Sequence, residues 1–217
     1  MVENKLSRRI VVATRNVGKQ REFEQMLSPL GYEVLSLADY PELPDIEETG
    51  ETFQANAEIK AKTAAEALGV PVIADDSGLT VARLDGAPGV YSARYAGQPT
   101  DDAANIRKLL MELERVNSHP VREEVTLASG EKRKLLSEAA FICSIVFYDP
   151  ETQDQIVTEG SVAGWIVDQA AGDGGFGYDP VFYVPTYGRT MAQLSSEEKH
   201  AISHRGQALR QLIEKLK

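Results

Sequence analysis

At 217 residues, with 42% hydrophobic and 26% charged side chains, the chain has the balance of a folded globular protein and length enough to bury a core, which excludes a disordered segment. No apolar run reaches the roughly 18 residues of a membrane-spanning helix, and a formal net charge of -10 excludes a protein that coats nucleic acid through many Lys and Arg contacts. Any phosphate ligand must therefore meet a local cluster of cations.

Residues 1–9 are polar and lack the apolar core and cleavage site of a signal peptide, so a cytoplasmic location is expected. The run Ile10-Val11-Val12-Ala13 predicts a short strand. It passes through Thr14-Arg15-Asn16-Val17-Gly18-Lys19 into a helix marked by Phe23, Met26, Leu27 and Leu30 before Gly31. A second strand is predicted over 32–37, then a breaker at Tyr40-Pro41-Glu42-Leu43-Pro44 and an acidic loop over 45–51. A helix should follow from about Thr52 to Leu68, stopped by Gly69 and Pro71.

Val70-Pro71-Val72-Ile73-Ala74 predicts a strand ending in a turn at Asp75-Asp76-Ser77-Gly78. Residues 101–116 predict a helix with Ile106, Leu109, Leu110 and Leu113 on its apolar face. Residues 121–136 read as a polar extended excursion turning near Ser129-Gly130, and 141–148 with 156–167 as a strand pair around Asp149-Pro150. Cys143, the single cysteine, lies in that apolar run and reads as packing, with no partner for an internal disulfide. A glycine-rich stretch, 172–180, leads into the strand Val181-Phe182-Tyr183-Val184. One helix is predicted from about 195 or 197 to 216, with Leu209, Leu212, Ile213 and Leu216 as its stripe. Strand-helix-strand units beside tightly turned strand pairs give an α/β chain with a mixed sheet.

Five groups of residues suit chemistry, and each has a plainer reading. The 14–19 turn offers unsatisfied backbone N–H groups and a lysine to a phosphate, or is a helix start capped by Asn16 or Thr14; it lacks Walker A spacing. Glu47, Glu48, Asp75 and Asp76 come from two segments that could share a magnesium ion over a phosphate, or are a solvated loop and a turn. Asn56 and Lys60 stand four apart on one helix face, where Lys60 reaches a phosphate or lies among surface charges. In Gly174-Gly175-Phe176-Gly177-Tyr178-Asp179-Pro180 the rings could stack on a base or fill the core. The last group is Lys199 with Ser203-His204-Arg205-Gly206, where Arg205 and a His204 or backbone donor could donate to the 6-keto group of a purine, or His204 and Arg205 serve the helix surface or pair with its glutamates.

In this order the five groups resemble the inosine triphosphate pyrophosphatase family, bacterial enzymes that clear non-standard purine nucleotides, over nearly the whole chain. The resemblance implies that Thr14, Arg15, Asn16, Val17, Gly18 and Lys19 form a substrate loop. Glu47 and Asp76 would be the magnesium-associated acids, Asp76 also accepting the proton. Lys60 and Ser77 would touch the nucleotide. Phe176, Gly177, Tyr178 and Asp179 would form a second substrate loop, with Lys199, His204 and Arg205 near the base. It further implies a single domain over 1–217 with a twisted mixed sheet flanked by helices, two lobes around a nucleotide-binding cleft, and a homodimer. Arg15 stands where many relatives carry glycine, and the 123–136 excursion is longer than expected. The implied reaction is magnesium-dependent attack by an Asp76-activated water on the α-phosphorus of inosine, deoxyinosine or xanthosine triphosphate, releasing pyrophosphate. A Maf-like pyrophosphatase of other base preference, or a nucleotide-sensing module without turnover, are the alternatives.

Overall fold

The computed structural model describes residues 8–116 and 123–216; residues 1–7 of the polar start, and 121 and 122 of the excursion, lie outside this range. In chain order the elements are β1 (Arg8–Val12), α1 (Val17–Leu27), β2 (Tyr32–Ser36), α2 (Phe53–Leu68), β3 (Val72–Val81), α3 (Asp102–Arg115) and β4 (Glu124–Thr126), then β5 (Lys132–Tyr148), β6 (Gln155–Val167), β7 (Phe182–Val184), β8 (Arg189–Thr190), α4 (Ser196–Ile202) and α5 (His204–Lys215). The hydrogen-bonded order is β2-β1-β3-β5-β6-β7-β8, with β4 paired to β5. β1 is parallel to β2 and β3, whereas β4–β5, β6–β7 and β7–β8 are antiparallel. The expected α/β fold with a mixed sheet flanked by helices is the one found. No described helix is long and apolar enough to cross a membrane.

The chain divides into two compact units: the residues up to Asp76 with Ser144–Glu159 and those from Ala208 on, and Ser77–Cys143 with Gly160–Gln207. β3, β5 and β6 contribute residues to both.

In the first unit, β1 leads through α1 to β2 on one side, and β2 leads through α2 to β3 on the other side of β1. Because parallel crossovers are right-handed, the reversal sends α1 and α2 to opposite faces. Burial agrees: Val11, Ala13, Val72 and Ala74 pack with Ala57, Ala61, Ala64 and Ala65 of α2, while Ile10, Val12 and Ile73 are buried outside that cluster. Four fully buried alanines let α2 lie close on the sheet. Thr52 caps this helix by accepting from the Ala55 amide at 3.1 Å, and Gly69 ends it in the left-handed conformation at φ 67°.

Three sequence expectations change. Asp75-Asp76-Ser77-Gly78 is not a turn but the middle of the ten-residue strand β3. β5 begins at Lys132 rather than near 141, because Arg133 and Ser137 occupy inward positions of its alternating pattern and break up the apolar signal. The excursion is therefore a hairpin of β4 and β5, with Gly130 at φ 88° in its turn. The terminal helix is two helices broken at Ser203, whose extended backbone (φ -62°, ψ 150°) ends α4. The Ser203 hydroxyl then accepts from the Gly206 amide at 3.0 Å and starts α5. The second unit has its own core, in which Leu79, Val81, Leu109, Leu113, Ile166 and Phe182 are fully or almost fully buried.

Candidate active site

The order reversal of the first unit places the carboxyl ends of β1 and β3 side by side, where open α/β sheets hold ligands. The register pairs Val12 with Ile73, and the Ala13 amide donates to the Ile73 carbonyl at 2.8 Å. β1 then gives way to the 14–19 turn while β3 continues into Asp75 and Asp76. Asn16 caps α1, accepting from the Lys19 amide at 3.1 Å, and Thr14 Oγ1 accepts from the Asn16 amide at 3.1 Å. Both side chains are therefore used within the turn, as the plainer reading held. The turn's N–H groups and Lys19 are what it offers a ligand.

Strand alternation puts the two aspartates on opposite faces. Asp75 shares the face of Ile73, and Lys19 of α1 meets its Oδ2 at 3.0 Å. Asp76 shares the face of Ala74 and meets α2. There Asn56 Nδ2 donates to Asp76 Oδ2 at 3.0 Å, and Lys60 Nζ lies 3.7 Å from Oδ1. Lys60 also donates to Glu48 Oε1 at 2.6 Å. Asn56, Ala57, Lys60 and Ala61 are all buried, so Lys60 is no surface lysine: it and Asn56 form the polar end of the face that packs on the sheet. Asn56 Oδ1 accepts from the Gly50 amide at 2.7 Å, tying the acidic loop to the residue that holds Asp76. A Cβ on Gly50 would come within 2.8 Å of Asn56 Oδ1 and of Ala55 Cβ, so this closure requires glycine.

The charges of this group are strongly coupled. Burial pushes the Asp76 carboxyl above the usual aspartate range; Lys60, Lys19 and the Asn56 hydrogen bond oppose that, and Glu48 adds to it. For Lys60 burial works against the charged form, yet Asp76, Asp75 and Glu48 together outweigh it and raise its pKa. An ammonium that stays charged beside a carboxylate reluctant to ionise suits binding of a polyanion and acceptance of a proton. Glu47, by contrast, is exposed, and it is the adjacent Glu48 that engages Lys60. Among the described residues no three His, Cys, Asp or Glu side chains form a metal-binding group on their own. The carboxylate oxygens of this cluster are nonetheless the hard donors that magnesium accepts in ones and twos alongside phosphate oxygens and water.

The second unit assembles the later residues. Asp179 is buried, accepts from the Phe176 amide at 2.9 Å and is paired with Lys199 Nζ at 2.8 Å. Lys199 Nζ lies 4.7 Å from the centroid of the Phe176 ring and Arg205 Cζ 5.9 Å from it. Arg205, 2% exposed, donates to Ser77 Oγ at 2.8 Å. The break at Ser203 is what turns His204 and Arg205 inward in the first turn of α5. His204 stacks on Phe141 with ring centroids 5.0 Å apart. Of the two rings of the loop, Tyr178 belongs to the core and its hydroxyl donates to the Ser92 carbonyl at 2.9 Å, leaving half-buried Phe176 as the available face. The Gly177 amide donates to Asp102 Oδ2 of α3 at 2.7 Å. Sequence reasoning did not single out Asp102, since nothing local links it to a loop 75 positions away.

Comparison with known proteins identifies the family. The family model described as the Ham1 family matches residues 10–215. The dITP/XTP pyrophosphatase of Bacillus anthracis is 49% identical over 210 residues, covering 96% of each chain. That of Bacillus licheniformis is 50% identical over 203 residues, 94% of this chain and 95% of the relative. Among solved structures, a HAM1 protein from Coxiella burnetii matches with a TM-score of 0.81 and 42% identity, over 96% of this chain and 98% of the other. The Staphylococcus aureus Ham1 protein matches with a TM-score of 0.78, the same 42% identity and the same coverage. The chain belongs to the Ham1 family.

Proposed function

We propose that this chain is a nucleoside-triphosphate pyrophosphatase that hydrolyses inosine, deoxyinosine and xanthosine triphosphates to monophosphate and pyrophosphate, removing deaminated purines from the nucleotide pool. Identity near one half with dITP/XTP pyrophosphatases over almost the full length supports the activity. The observation that carries the mechanism is the buried Asp76, held by Asn56 and faced by Lys60.

In this reading the 14–19 turn and Lys19 receive the phosphates, and Lys60 offsets their charge. Asp76 takes the proton of a water whose oxygen attacks the α-phosphorus. The bond from that phosphorus to the bridging oxygen breaks, and pyrophosphate leaves with the bridging oxygen. A carboxylate whose pKa is raised by burial is a better proton acceptor than an ordinary aspartate. Magnesium, held by Asp76 and by Glu47 on the acidic loop, would supply neutralisation of phosphate oxygens when bound. Phe176 would stack on the base, while Arg205 and Lys199 favour a 6-keto acceptor over the amino donor of adenine. Ser77, whose Oγ accepts from Arg205, would touch the nucleotide. Tyr178 and Asp179 hold the loop that carries Phe176, and His204 stands next to Arg205 in the chain. A homodimer, as the family resemblance implies, and a cytoplasmic location complete the proposal.

The test is a panel of inosine, xanthosine, guanosine, adenosine, thymidine and uridine triphosphates with and without magnesium, following pyrophosphate and monophosphate. Preference for the deaminated purines with magnesium dependence is expected. Preference for a pyrimidine would favour a Maf-like specificity, and binding without product a sensing role.

A further inference from the structure

Arg15 lies in the phosphate-binding turn between Thr14 and the capping Asn16, yet its guanidinium is committed elsewhere. Nη1 donates to the Leu37 carbonyl at 2.7 Å, Nη2 to the Leu43 carbonyl, and Nε to Asp45 Oδ1 at 3.0 Å. Leu37 and Leu43 belong to the segment that leads into the acidic loop, and Asp45 is the first residue of that loop. We propose that Arg15 is a positioning residue, a strut that fastens the acidic loop to the phosphate-binding turn and so presents Glu47 and Glu48, rather than a ligand of the phosphates.

The mechanical argument starts from the loop. Residues 40–52 contain neither helix nor strand, and holding such a segment in one conformation costs backbone entropy that its contacts must offset. Its far end is secured by Gly50 on Asn56 and by Glu48 on Lys60. The near end is secured by buried Leu43 and by Arg15. The planar guanidinium spans two carbonyls and a carboxylate at once, which a lysine ammonium on its flexible stem does not reproduce. The Asp45 contact contributes least, since that side chain is 92% exposed; the two carbonyl bonds, which are partly buried, carry the connection. The strut makes the turn that receives phosphate and the loop that carries the acids a single piece. The consequence for magnesium rests on the function proposed above; the strut itself does not.

The test uses the full chain as wild type, Arg15→Ala and Arg15→Lys. In metal-free buffer, amide hydrogen exchange over 43–50 should accelerate on the order of tenfold in both variants, with exchange over 57–65 of α2 unchanged. In the pyrophosphate assay the magnesium concentration for half-maximal rate should rise by a similar factor, and lost rate should return as magnesium is raised, while KM for nucleotide moves less. Unchanged exchange over 43–50 would overturn the strut whether or not the chain hydrolyses any nucleotide. Full rescue by Arg15→Lys would show that charge alone matters, and would overturn it too. A rise in nucleotide KM with unaltered magnesium dependence would make Arg15 a phosphate ligand, which likewise contradicts the inference.

Discussion

Replacing Asp76 by Asn separates what this carboxylate does for catalysis from what it costs the fold. The amide keeps the shape of the side chain and its place beside Asn56 and Lys60, but cannot accept the proton of the attacking water. Loss of a positioned general base lowers turnover by about 10²–10⁴-fold, while the proposed phosphate contacts of Lys19 and Lys60 are retained, so affinity should change little. Stability should move the other way. Burial raises the Asp76 pKa in the folded chain, and the opposing cations do not cancel it. Below the ordinary aspartate pKa the group is protonated whether folded or unfolded and costs nothing. As pH rises from there toward the raised folded value the unfolded chain loses its proton first, so the fold is progressively destabilised and remains so at neutral pH. The uncharged amide introduced by Asp76→Asn avoids that cost. Without metal, the variant should melt above wild type at neutral pH, by about 2–4 °C for each kcal/mol relieved in a chain of this size, and the gap should close at acid pH. Turnover by pyrophosphate release, affinity by calorimetry and melting at two pH values give the full set. Wild-type turnover, or a lower melting temperature at neutral pH, would refute the reasoning.

Other expectations follow from the same contacts. In Lys60→Met the largest influence holding the Asp76 pKa down is gone, so the acidic limb of the kcat/KM profile should move to higher pH. Asp76→Asn leaves Lys60 paired with Glu48, whereas this change takes the cation from both carboxylates, and breaking a buried charge pair in that way costs about 3–5 kcal/mol, which thermal melting would register. Phe176→Ala should raise KM for purine triphosphates about 5- to 150-fold, the equivalent of about 1–3 kcal/mol of base stacking, with smaller change at saturating substrate; equal KM in steady-state assays would remove the stacking role. Gly175→Ala places a Cβ 2.0 Å from Asp179 Oδ2 at a backbone φ of +75°, so it should displace the carboxylate that holds Phe176 and Lys199. Its expected effect is loss of inosine over adenosine selectivity, read from paired kinetics.

Much of this arrangement was legible in the sequence because it rests on local rules. The strand, turn and capped helix around Asn16, and the helix from Thr52 to Gly69, follow from apolar spacing and end signals. What escaped depends on contacts distant in sequence. Asp75-Asp76-Ser77-Gly78 has the composition of a turn, yet continues as strand because Lys19 on one face and Lys60 with Asn56 on the other accommodate its carboxylates. Lys60 resembles its charged neighbours Glu58 and Lys62 in sequence, and only the alanines of α2 packing on the sheet reveal that it is buried. The break at Ser203 carries neither proline nor glycine at the break itself; its signal is a serine whose hydroxyl caps the next turn. For the loop acids, nothing local marks Glu48 rather than its neighbour Glu47 as the partner of Lys60, a pairing decided by how the loop and α2 meet.

The most direct test of the proposed chemistry is hydrolysis of inosine triphosphate in water enriched in heavy oxygen, with mass analysis of both products. Attack on the α-phosphorus predicts one labelled oxygen in inosine monophosphate and none in pyrophosphate. Label in the pyrophosphate, or stepwise release of labelled orthophosphate, would contradict it.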